Sequence, residues 1–203
     1  MSGSTSKHAP DSTTGAHPAE YEADAWHEAA ARLRGSAQAA IPPSHHGHDV
    51  EHWLLRGTLI LAAIEDAVPS ARAHLRQLLS DWGQAKLGPD AGAVVSELVT
   101  NSVAASAGLR LAAPPVLVWL RSDSRCLLLA VADASPRPPV RLNLGPDAEG
   151  GRGLALVEAF SSRWGWHPAS ITGLRKFVWA EWRLPSGIGQ LPVAALTDRC
   201  HAV

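Results

Sequence analysis

Glu97 and Asn101 stand four residues apart in SELVTNSV, residues 96–103. That spacing puts two side chains on one face of a helix, with Thr100 beside them. A carboxylate and a carboxamide held this way can divide labour. The acid accepts a proton from a hydroxyl or water, and the amide oxygen binds a hard cation such as Mg²⁺, which brings phosphates with it. A solvated helix face is the plainer reading. Against it, Glu97 is the only charged residue from Ala91 to Ala107, whereas an exposed face of that length carries several. The stripe is therefore expected to be half-buried, facing something other than bulk water.

Two loops offer this pair a ligand. In VADASPRPP, Asp133 falls just past an apolar run, where an acid at a strand end can accept a hydrogen bond from a ligand's exocyclic amine. A turn-forming Asp would look the same. In EGGRGLAL, Gly150, Gly151 and Gly153 come immediately before a helical pattern. Backbone N–H groups and a helix N-terminus can cradle phosphate oxygens there, and Arg152 adds positive charge. Glycines in that position also serve as plain linkers.

The elements that would position these residues follow from periodicity. VPSARAHLRQLLSDWG carries Leu75, Leu78, Leu79 and Trp82 at helical spacing, with Gly83 as a stop. Asp90 is a candidate N-cap for a second helix from Ala91 to about Ala105, with Val94, Val95, Leu98 and Val103 turned to the core. PPVLVWLRSD and SRCLLLAVAD read as a strand pair around the turn Ser122-Asp123-Ser124. After the loop ASPRPPV and the Gly/Asp stretch, LALVEAFSSRWG reads as one helix ending at Gly165. KFVWAEWRL is a strand with Val178, Ala180, Trp182 and Leu184 on one face. This order predicts an α+β layer, helices on one face of a mostly antiparallel sheet, with no internal repeat. The domain is expected over about 65–185. Residues 1–55, poor in large aliphatics, are expected to be disordered apart from a short helix over AEYEADAWHEAAARLR, and 186–203 to form a tail.

Bulk numbers narrow the function classes. Lys plus Arg total 18 and Asp plus Glu 19, a formal net charge of −1. Nothing in that balance attracts nucleic acid or an anionic membrane, so an anionic ligand needs a local site. Two cysteines, Cys126 and Cys200, are too few for a disulfide framework or a zinc motif. His45, His46 and His48 lie in a Pro/Gly segment without a regular ligand frame, which favours a solvated tail over a metal site. No signal-peptide core or membrane-length apolar run is present, so a cytoplasmic protein is expected.

Taken in order, E-L-V-T-N, D-A-S-P-R-P-P, G-G-R-G-L-A-L-V and K-F-V-W-A-E resemble the motifs of the Bergerat-fold ATP-binding superfamily, which includes gyrase, large chaperones and histidine kinases. More narrowly they resemble its bacterial anti-sigma-factor serine kinase branch, over about Ala67 to Leu184. The resemblance implies a Bergerat α/β sandwich binding ATP and Mg²⁺. Glu97 would be the general base and Asn101 the magnesium ligand. Asp133 would read the adenine, and Gly150, Gly151, Arg152 and Gly153 would close over the phosphates. It further implies a serine kinase acting on an anti-anti-sigma partner, a sigma factor as a second partner, and no direct contact with nucleic acid or membrane. Small domains of this kind often pair through their sheets or first helices, so a homodimer is one expectation. The chain departs from the pattern at three places. Ala134 and Ser135 replace glycines of the broad superfamily, Phe177 follows Lys176 where the branch usually has Thr, and Ala104, Ala105 and Ser106 stand where it commonly has a basic residue. These departures keep open a catalytically decayed protein that acts by stoichiometric binding.

Overall fold

The computed structural model describes residues 26, 28, 30–33, 53–111, 113–123, 125–140, 153–185 and 199–202. Six strands form one sheet: β1 Leu55–Ala62, β2 Pro115–Ser122, β3 Cys126–Asp133, β4 Arg163–Pro168, β5 Lys176–Arg183 and β6 Arg199–Ala202. Their spatial order is β4-β5-β3-β2-β1-β6. Neighbours pair antiparallel throughout except β6, which runs parallel to β1. Helices α1 Ala67–Asp81, α2 Gly88–Ser106 and α3 Gly153–Phe160 belong to the same frame. The architecture is α+β with helices on a mixed, mostly antiparallel sheet, as the element order predicts.

The main core lies between the sheet and these helices. Leu75, Leu78 and Leu79 of α1 and Val94, Val95, Leu98 and Val99 of α2 meet Leu59, Val118, Leu129, Val131, Val178 and Ala180. Each fully buried Leu or Val contributes about 1.5–3 kcal/mol. Helix α1 comes so close to β1 that a methyl group on Gly57 would lie 2.2 Å from a Leu78 methyl carbon. Gly83, at φ +68°, ends the α1 segment in the left-handed conformation that glycine tolerates best.

The opposite face of the sheet is covered as well. Residues 26, 28 and 30–33 are helical, and Ala30, Leu33 and Trp53 are buried with Ile60, Trp119, Leu128, Phe177 and Trp179. Strands buried on both faces read as continuous apolar runs rather than alternating ones, which accounts for CLLLAVA.

Several expectations need correction. No element is expected at 55–62, yet those residues form β1. The helix over LALVEAFSSRWG stops at Phe160, and Arg163–Pro168 is the edge strand β4. Trp164 and Trp166 pair opposite Ala180 and Val178, while glycine at 165 gives room to the Trp179 indole, whose nearest atom would sit 2.7 Å from an added methyl group. The expected tail contributes β6. Asp90 does not cap α2: the helix begins at Gly88 with Pro89 in its opening positions, and Asp90 lies in the first turn, where its charge complements the helix dipole. Among the described residues no helix is long and apolar enough to cross a membrane.

Candidate functional site

Four element ends meet at one side of the sheet. Helix α2 carries Glu97, Asn101 and Ser102, β3 ends on Asp133, β5 begins on Lys176 and α3 begins on Gly153. The antiparallel register sets Asp133 directly opposite Lys176, and close opposite charges on neighbouring strands attract.

Asp133 is the polar anchor of this corner. Its Oδ1 accepts from Lys176 Nζ at 2.6 Å and from the backbone N–H of Ser135 at 2.8 Å. Its Oδ2 accepts from the Ser102 hydroxyl at 3.0 Å. Ser102 also approaches the Leu98 carbonyl at 2.9 Å, and Lys176 donates to the Ser135 carbonyl at 3.3 Å. Asp133, Lys176 and Ser102 are 1, 5 and 3% exposed. A buried charge is tolerable only when paired and hydrogen-bonded, and this acid is both.

These side chains line a cavity of about 510 Å³ together with Asn101, Gly153 and Arg137. Its remaining walls are apolar, from Leu98, Pro138, Leu154 and Val178 among others. A cavity of a few hundred Å³ with apolar walls and a few convergent polar groups suits a small-molecule ligand. Phe177 does not enter it. Strand alternation turns that ring to the other face, where it packs on Trp119 at a centroid distance of 5.0 Å, leaving the cavity to Lys176 and Val178.

Glu97 sits differently from the other expected site residues. It lines an adjacent groove of about 630 Å³ between α1 and α2, in which Arg72 and Arg76 also stand. It nevertheless touches the first cavity's rim: a methyl group on Gly153 would lie 2.6 Å from Glu97 Oε2 and 3.4 Å from Asn101 Nδ2. A side chain at 153 would require the Glu97 carboxylate to swing aside, and an anion at that helix end is electrostatically favoured. Glu97 is half-buried as expected, whereas Thr100 and Asn101 are exposed. The half-buried stripe is thus corrected at those two positions: they occupy a side of α2 that no described residue covers, whereas Ser102 and Ser106, further along the same helix, are buried.

The structure therefore gathers Asn101, Asp133 and Gly153 into one cavity with Glu97 at its edge. Gly150, Gly151 and Arg152 lie outside the described residues, as do His45, His46 and His48. Sequence reasoning missed Ser102 and Lys176 as site residues. Ser102 could have been found one position after Asn101, but Lys176 needed the β3–β5 register. Among the described residues no group of three or more His, Cys, Asp or Glu side chains could hold a metal ion. Asn101, exposed at the rim with one neutral oxygen, instead fits a Mg²⁺ that keeps most of its shell as water and phosphate oxygen. Comparison with known proteins adds no relative: no family model matches the chain, and no curated protein matches it significantly.

Proposed function

We propose that this protein is an ATP-binding regulator of the Bergerat type, a serine protein kinase acting on an anti-anti-sigma partner or restraining a sigma factor. The observation that carries the reading is the meeting of Asn101, Asp133 and Gly153, from three separate segments, around one cavity with Glu97 against Gly153. Asp133 would receive the base, and the α3 N-terminus would face the phosphates. Asn101 would hold Mg²⁺ through its amide oxygen, and the ion would offset phosphate charge. Glu97 would take the proton from a serine hydroxyl as that oxygen bonds to the terminal phosphorus and the bond to the leaving nucleoside diphosphate breaks. Positioning and charge, rather than covalent help from the protein, carry most of such a reaction.

A second reading has specific support. Asp133 already holds three internal partners, and α2 lacks a basic residue after Asn101, which fits a protein that binds its partner without phosphoryl transfer. Incubating the full chain with labelled ATP and a serine-bearing cognate partner separates the two. The kinase reading expects the partner to be labelled, with Glu97→Ala abolishing transfer and sparing nucleotide binding. Normal transfer by that variant would remove Glu97 as the base. Nucleotide binding with no transfer under any condition would favour the second reading.

A further inference from the structure

The floor of the cavity offers a ligand more than one acid. A carboxylate has about four lone-pair sites and an ammonium three N–H donors. Oδ1 of Asp133 uses two sites, on Lys176 and the Ser135 N–H, and Oδ2 uses one, on Ser102. Lys176 spends one donor on Asp133 and one on the Ser135 carbonyl. Among the described residues, one acceptor site on Asp133 Oδ2 and one donor on Lys176 Nζ therefore remain. Both side chains line the same cavity. A planar ligand that satisfies both must carry an N–H beside a bare ring nitrogen or carbonyl.

Resting on the nucleotide reading above, we propose that Lys176 is a base-reading residue. It donates its remaining N–H to ring nitrogen N1 of adenine, while Asp133 Oδ2 accepts from the neighbouring 6-amino group. Asp133 is the only acid lining the cavity among the described residues, and it has one site left. Guanine would bring two adjacent N–H donors to that single site, so one would stay unpaired, and a buried unpaired donor weakens binding sharply. A bond from a desolvated ammonium is also stronger than one from a neutral hydroxyl. Lys176 would thus supply the contact to the base edge that Phe177, turned to the other face, cannot make.

The test is isothermal titration of the full chain with the magnesium complexes of ATP, GTP and 1-deaza-ATP, in which a C–H replaces N1. Wild-type protein is expected to bind 1-deaza-ATP and GTP each at least about tenfold more weakly than ATP. Lys176→Met is expected to bind ATP and 1-deaza-ATP equally. Equal wild-type affinity for ATP and 1-deaza-ATP overturns the role of Lys176 while leaving the nucleotide reading standing, and so does discrimination that persists in Lys176→Met. Preference for GTP overturns the assignment of the base. If no nucleotide binds, both readings fall. The wild-type comparison decides by itself if the variant does not fold.

Discussion

The two ends of the candidate site are built on opposite principles. At the Asp133 end, the acid and the Lys176 ammonium are buried and answered from within, Asp133 by Lys176, Ser102 and the Ser135 N–H. At the Glu97 end, an acid and an amide stand half-buried and exposed beside a glycine, with no side-chain hydrogen bond or ion pair among the described residues. A closed network holds a fixed shape before any ligand arrives, whereas an open pair leaves its bonding capacity for one. The first end is expected to matter for stability and base recognition, the second for metal binding and chemistry with little effect on stability.

The largest test of that contrast is Asp133→Ala. It leaves the Lys176 ammonium buried without its partner, and urea unfolding is expected to show a loss of about 3–5 kcal/mol. Next comes Leu33→Ala, which removes a buried anchor of the segment covering the far face of the sheet. A loss of about 2–5 kcal/mol is expected there, and a change under 0.5 kcal/mol would mean that this segment does not hold the sheet. Gly57→Ala, which overpacks Leu78, is expected to cost about 1–3 kcal/mol in the same assay. Glu97→Ala is expected to change stability by no more than about 0.5 kcal/mol. If Glu97→Ala proved as destabilising as Asp133→Ala, the distinction between the two ends would be lost.

The smallest expected effect concerns Cys126. Burial, with Glu181 and Asp123 nearby, pushes its thiol well above the ordinary value of 9.0. In a Cys200→Ser background the native protein should resist thiol-specific labelling until it is unfolded. Because the folded value is raised, this group favours the folded state fully below about pH 9, and the contribution is lost as pH rises beyond it, where only the unfolded chain ionises. Rapid labelling of native protein at pH 8 would contradict the burial.

Much of this frame was legible because its signals are local. The leucines of α1 repeat at helical spacing, the runs around Trp119 and Leu128 are too apolar for loops, and Asp133 stands where an apolar run ends. The missed parts depend on distant partners. Arg163–Pro168 follows a helix without a glycine or proline break and becomes a strand only because β5 offers it an edge. Arg199–Ala202 has no strand pattern of its own and takes its conformation beside β1. Nothing local to Lys176 marks it as a site residue, since its partner Asp133 is 43 residues away. Helix and strand periodicity report which face is buried; they do not report which residues meet across a sheet.

The central claim is that residues remote in sequence form one nucleotide cavity, and calorimetric titration of the full chain with ATP tests it most directly. The account predicts saturable one-to-one binding with a Kd below about 1 mM, a magnitude of at least about 4 kcal/mol. That binding should require Mg²⁺ and weaken at least tenfold in Asn101→Ala. An absence of heat up to millimolar ATP, or binding indifferent to both Mg²⁺ and Asn101, would contradict it.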